Sequence, residues 1–188
     1  MRYKLLSILI SCFLLTGCFG GTPTESTSTT TIDDISFSTP VFSSWEKIAD
    51  SDLPVTIIDR SYYVYQSPLA RDGIYSKYII VYESLPKPTT SIDYAKNNIL
   101  NAPKAATDYV KINETELEIG KQKTLIHIYT ARNSTLAPEL LFIQTHVVFN
   151  NTEAYTLTFT VAPSSKNNKS LIDTYISLLK GFNYKAKK

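Results

Sequence analysis

Apolar positions along this chain follow different rhythms in different stretches. They run nearly unbroken from Leu5 to Leu15, vanish between Gly20 and Thr31, and from Ile32 onward alternate or recur at helical spacing. The runs Tyr62-Tyr63-Val64-Tyr65 and Tyr78-Ile79-Ile80-Val81-Tyr82 flank Asp72-Gly73, and β-branched and aromatic residues around a turn dipeptide predict a hairpin. Ser91 to Leu100 places Ile92, Ala95 and Ile99 on one helical face, with Ser91 as N-cap and Asp93 in the first turn. Upstream, Trp45, Ile48 and Ala49 would share one side of a short helical turn over Ser44 to Ala49.

A second group of strands is expected at Val110 to Ile112, Thr115 to Ile119, Thr124 to Ala131, Leu140 to Phe149 and Ala154 to Val161. Breaks at Gly120-Lys121, at Asn133 to Pro138 and at Asn150-Asn151 suit an antiparallel meander. After Pro163 the period changes: Leu171, Ile172, Tyr175, Ile176, Leu178 and Leu179 form a broad apolar stripe, and Gly181 follows as C-cap. The expected fold class is therefore α+β, an antiparallel β-sheet flanked by helices. It would occupy residues 32–184, with residues 185–188 as a basic tail.

A chain of 188 residues that is 43% hydrophobic and 12% aromatic can bury one ordinary core, which excludes a disordered chain and a multidomain enzyme. There are 19 basic and 17 acidic residues, and removing Arg2 and Lys4 with a leader leaves 17 of each sign. Nothing in that balance points to nucleic acid as a partner.

The N-terminus pairs the basic segment Met1-Arg2-Tyr3-Lys4 with the apolar stretch and then Leu15-Thr16-Gly17-Cys18, an order that resembles a bacterial lipoprotein signal. Small residues such as Thr16 and Gly17 let a peptidase close on an extended backbone, and the Cys18 thiol would be the acylated nucleophile. A spanning helix needs about 20 apolar residues, whereas Leu5 to Leu15 supplies 11, interrupted by Ser7, Ser11 and Cys12. The expectation is a signal peptide over residues 1–17, cut before Cys18. Cys12 would leave with the leader and Cys18 would carry lipid, so the mature domain would hold neither free thiol nor disulfide. Buried acyl chains contribute about 0.8 kcal/mol per methylene, enough for two or three chains to anchor stably. Residues 18–31, the cysteine and a Thr/Ser-rich stretch, read as a flexible tether with an r.m.s. span of about 20 Å. The implied location is the cell envelope with the domain outside the cytoplasm, the membrane being a partner through the N-terminal lipid. Phe19 rather than Asp follows the cysteine, which favours the outer membrane where the organism has one.

Glu118-Ile119-Gly120-Lys121 leading into Leu125-Ile126-His127-Ile128-Tyr129, then Tyr155-Thr156-Leu157-Thr158-Phe159, a loop, an amphipathic helix and Gly181-Phe182-Asn183-Tyr184, resembles the second half of PsbP-like domains. That family includes small envelope lipoproteins and the extrinsic photosystem II subunit. The match covers about residues 115–184, and Pro40-Val41-Phe42-Ser43-Ser44-Trp45 stretches the spacing usual in the family's N-terminal half. The resemblance implies a layered sandwich of sheet and helices and an accessory or assembly role. It carries over no catalytic residue and implies no cofactor.

Standard catalytic and nucleotide-binding motifs do not occur. The two histidines, His127 and His146, are the weak metal or catalytic candidates. A hairpin closed over Asn133 to Pro138 can set them directly opposite one another, and a shift of one residue puts them on opposite faces. Tyr62, Tyr63, Tyr65, Tyr78 and Tyr82 are candidates for an aromatic ligand platform, although strand alternation sends some of these rings into the core. The leading expectation is a lipid-anchored, non-catalytic module that docks on an envelope protein partner or stabilises a membrane or cell-wall assembly. The alternatives are a binding module for cell-wall sugar or a small ligand, and a hydrolase using His127 or His146.

Overall fold

The computed structural model describes residues 28–49 and 61–186, with the side chains of Ser61 and Tyr62 outside that description. Its strands are β1 (Thr29–Asp33), β2 (Phe37–Phe42), β3 (Glu46–Lys47), β4 (Ser61–Arg71), β5 (Ile74–Ser84), β6 (Thr107–Ile119), β7 (Gln122–Arg132), β8 (Leu140–Phe149), β9 (Glu153–Val161) and β10 (Asn183–Tyr184). Helix α1 (Ser91–Ala105) lies between β5 and β6, and α2 (Lys169–Lys180) between β9 and β10. A seven-stranded sheet runs in the order β3-β4-β5-β9-β8-β7-β6, and a three-stranded one in the order β1-β2-β10. Every pairing is antiparallel. The architecture is α+β, as its periodicities predict. No helix among the described residues is long and apolar enough to cross a membrane.

Alternation divides the large sheet into two faces. Ile126 and Ile128, Leu141 and Ile143, and Leu157 and Phe159 point inward with Tyr78 and Ile80 into the main core, all nearly or wholly inaccessible. That face is closed by α2, which contributes Tyr175, Leu178 and Leu179, and by Phe37, Val41 and Phe42 of β2. Burying each such side chain contributes about 1.5–3 kcal/mol. The Asp72-Gly73 turn has both residues at positive φ, 52° and 75°, the geometry that matches the twist of a two-residue hairpin.

Gly181 caps α2 as expected, but its φ of −75° needs no glycine. The reason is space: a Cβ there would lie 2.5 Å from Cγ of Pro40. The chain leaves α2 against β2 and turns into β10, which pairs with β2.

Several sequence expectations change in three dimensions. Ser44 to Ala49 forms no helical turn; Trp45 is buried against Phe42 and Phe159, and Glu46 and Lys47 pair with Gln66 and Tyr65. An isolated helix so short cannot repay its nucleation, whereas an edge pairing satisfies the backbone at once. The N-cap of α1 is Thr90, whose hydroxyl accepts from the Asp93 amide, and the helix continues through Pro103 to Ala105. Thr29, Thr30 and Thr31, expected in the tether, pair with Phe42, Val41 and Pro40. Lys185, expected in a solvated tail, bonds Ser36 through its amide and pairs with Asp33 through its ammonium.

Candidate functional site

The outer face of the large sheet is only partly covered. Helix α1 lies over it, seating Ala95 and Ile99 on Leu125, and Tyr94 on Val148 and Ala154. Ser91 fixes its start: the hydroxyl accepts from the Val148 amide at 2.8 Å and donates to the Val148 carbonyl at 3.2 Å. These bonds fall where β7 has parted from β8, beyond the last ladder pair Ile126–Thr145. There side chains replace the ladder, Thr124 donating to the His146 carbonyl and Thr145 to that of Leu125. The position of α1 is therefore set by its first turn.

Past that anchor, α1 and the sheet enclose a cleft of about 340 Å³. The helix lines it with Tyr94, Asn98, Asn101, Ala102 and Ala105, successive positions of one helical stripe. The floor comes from alternate residues of neighbouring strands, principally Glu83, Phe142, Gln144, His146 and Thr156. Tyr94 spans the gap, its hydroxyl donating to the Glu83 carboxylate and its ring meeting His146 edge-on at 5.8 Å. Tyr129 stacks on Phe142 at 4.8 Å with only 3° between the ring planes. Gln144 donates from Nε2 to Thr158 at 2.8 Å.

The two histidines do share the outer face, but not directly opposite one another. His127 faces Gln144, so His146 is its diagonal neighbour, a register two residues from the expected one. A two-residue shift keeps the face that a one-residue shift would have exchanged. His127 Nε2 meets the Tyr109 hydroxyl at 2.7 Å, and its ring stacks on Tyr129. His146 Nδ1 meets the Thr156 hydroxyl at 3.0 Å. Among the described residues, His127 Nδ1 and His146 Nε2 are buried without a hydrogen-bond partner. Desolvation pushes the conjugate acid of His127 down to about 4 and that of His146 to about 3, so both rings are neutral near pH 7.

The expected tyrosine platform does not form as an exposed row. Tyr78 is fully buried, stacked on Phe159 at 4.3 Å, with its hydroxyl 3.1 Å from that of Thr39. Tyr65 is buried, while Tyr63 and Tyr82 pack partly buried against the same core. Tyr62 pairs with Val81 in the ladder, and its side chain lies outside the described residues. Alternation sends Tyr63, Tyr65, Tyr78 and Tyr82 to the core face of the hairpin, while Val81 and Glu83 on its other face border the cleft. Leu15, Thr16, Gly17 and Cys18 also lie outside the described residues.

Sequence reasoning passed over Glu83, Tyr94, Asn98, Phe142, Gln144 and Thr156. Two signals were present. Phe142, Gln144 and His146 alternate with the aliphatic residues of β8, and Tyr94, Asn98 and Asn101 share a helical face.

No family model matches the chain, and no curated protein matches it in sequence. Among solved structures, the cyanobacterial PsbP (CyanoP) of Synechocystis sp. PCC 6803 aligns with 90% of this chain and 99% of its own, with a TM-score of 0.53 and 15% identity. The fold is PsbP-like. PA94 of Pseudomonas aeruginosa, a protein of unknown function, aligns with 72% of this chain and 95% of its own at a TM-score of 0.51 and 12% identity. At these identities the likeness is one of fold. At 90% of the chain, it reaches well beyond the C-terminal pattern of residues 115–184.

Proposed function

We propose that this chain is a lipid-anchored protein of the bacterial cell envelope whose PsbP-like domain serves a membrane-proximal assembly by binding, without catalysis. The motif Leu15-Thr16-Gly17-Cys18 supports the anchor, and the following stretch supplies a tether. Confinement near the membrane raises the effective concentration of any envelope partner, so a weak contact suffices.

The observation that carries the binding half is the environment of His146 in the cleft. A general base works best with a pKa near the operating pH, and this imidazole titrates near 3, far below neutrality. The ring is then a fixed neutral hydrogen-bonding group among carboxamides and aromatic rings, the composition of a recognition surface. The same argument weighs against the hydrolase reading.

The test places a photo-crosslinking residue at Asn101, on the exposed rim of the cleft, in the full chain expressed in a bacterium. Wild-type protein is expected to take up radiolabelled fatty acid, to sediment with membranes and to crosslink to an envelope component. Cys18→Ser should lose the label and the membrane association. Label retained in Cys18→Ser, or an intact leader on a cytosolic form, overturns the anchor. A rim crosslinker that captures nothing in the envelope overturns the binding role.

A further inference from the structure

We propose that the cleft between α1 and the outer sheet face binds an uncharged sugar ring, a reading that rests on the binding role above but not on the lipid anchor. At about 340 Å³ the cleft lies at the small end of the range for ligand pockets, of order 300–1,000 Å³, which suits one or two rings rather than a polypeptide segment.

Its charge selects the ligand class. No lysine or arginine lines it, and Lys104, whose ammonium bonds Asn101 Oδ1 at 3.3 Å, stands only at the rim. A phosphate or carboxylate ligand would therefore lie beside the Glu83 carboxylate with no cation within the cleft. What lines it instead is a dense set of uncharged groups: the carboxamides of Asn98, Asn101 and Gln144, the Thr156 hydroxyl and the neutral His146 ring. Asn98 spends one Nδ2 hydrogen on the Tyr94 carbonyl, and Asn101 meets Asn97 and Lys104. Each carboxamide, with two donor hydrogens and two acceptor lone pairs, keeps capacity for vicinal hydroxyls that donate and accept in the same way. Gln144 spends one Nε2 hydrogen on Thr158, and its Oε1 is an acceptor on the lining of the cleft. Whichever tautomer His146 adopts toward Thr156, Nε2 retains one unmet hydrogen bond, as donor or as acceptor. A buried polar atom in that state is stabilised by any hydroxyl that reaches it.

The aromatic side of the cleft completes the match. Phe142 is half-buried and backed by the parallel ring of Tyr129, which holds it flat as an apolar surface for the C–H face of a pyranose. Across from it, Ala102, Ala105 and Ala106 leave the room a larger side chain would occupy.

The experiment titrates the full-length protein, purified in a detergent without a sugar headgroup, with glucose, galactose, N-acetylglucosamine and their β-1,4-linked dimers. Binding is followed by saturation transfer to the sugar protons and by the ring nitrogen signals of the two histidines. At least one sugar should bind, shift the His146 ring nitrogens and leave those of His127 nearly unmoved. Phe142→Ala should weaken that binding about tenfold or more, the loss of a major contact. Because Phe142→Ala also loosens packing on Tyr129, Ala102→Phe provides the second variant: it fills the cleft from the helix side and should abolish binding while urea unfolding stays unchanged. Failure of all these sugars to bind overturns the proposal, as does binding that survives Ala102→Phe. Glucosamine is titrated alongside as the cationic counterpart, and its binding at the same residues with the uncharged sugars silent also overturns the proposal while leaving the binding role standing. The binding role itself falls only with the crosslinking result at Asn101.

Discussion

The inner and outer faces of the seven-stranded sheet are made from alternate residues of the same strands, and they solve different problems. On β8 the inner positions Leu141, Ile143 and Val147 are fully buried beneath α2 and the small sheet, while the outer positions Phe142, Gln144 and His146 meet α1 across a cleft. On β9 the inner Leu157 and Phe159 are sealed, and the outer Thr156 and Thr158 carry hydroxyls that bond His146 Nδ1 and Gln144 Nε2. The inner face is held by volume: rings and aliphatic groups fill space in many directions, and no single polar bond decides the arrangement. The outer face is held by directional contacts at the first turn of α1 and by the small apolar clusters under Tyr94, Ala95 and Ile99, and a cleft stays open beside them. Packing thus seals one side of the sheet and leaves a cleft on the other.

Substitutions should therefore cost most on the inner face. Phe159→Ala removes a ring that touches Trp45, Tyr78 and Tyr175, and should destabilise the fold by about 3–5 kcal/mol, read as a fall in the urea midpoint with little change in slope. A loss below about 1 kcal/mol would erase the contrast between the faces.

Acid should act chiefly on the outer face. An unfolded histidine titrates near 6.5, whereas His127 and His146 hold their neutral forms down to about 4 and about 3. Below pH 6.5 the unfolded chain binds protons that the native rings refuse. The stabilisation is complete above that pH and is lost as the pH falls toward the native values. Between pH 7 and pH 5 each ring accounts for a loss of about 2 kcal/mol, so His146→Gln should shrink the difference between unfolding free energies at those two pH values by that amount.

Gly181→Ala tests the seam between α2 and β2. Its Cβ would meet the Pro40 ring at 2.5 Å, so either β2 or the end of α2 must shift, at a cost of about 1–3 kcal/mol measurable by thermal unfolding. The smallest effect belongs to the cap of α1. Thr90→Ala removes the acceptor for the Asp93 amide and should cost about 1 kcal/mol. If the first turn positions α1 as Ser91 and Val148 indicate, the same change should also raise amide exchange at Tyr94 and Ala95, while exchange within β9 stays unchanged.

The strands of the meander and the stripe of α2 could be read directly, because period-2 and period-3.6 patterns of burial are local properties of a chain. So could the hairpin around Asp72-Gly73, since that dipeptide tolerates the backbone the turn requires. Three readings depended on partners distant in sequence. Trp45 suits a helical turn until Gln66 and Tyr65 offer Glu46 and Lys47 a strand to pair with. The tyrosines of the first hairpin suit an exposed platform until the layers assign Tyr78 and Tyr65 to the core. Ser91 suits an N-cap until Val148 takes its hydroxyl and Thr90 caps the helix instead.

By itself, then, the order of residues determined the α+β class, the meander and its inward set of apolar side chains, because short-range periodicity encodes which face is buried. The strand lengths did not follow from it, since the expected strands Val110 to Ile112 and Thr115 to Ile119 are one strand, β6. The register that makes His127 and His146 diagonal neighbours, and the cleft that brings Tyr94 of one element to Glu83 of another, were decided by tertiary structure. Both depend on where one element stops relative to another, and that distance is set by packing across the sheet rather than by any pattern within a strand or helix.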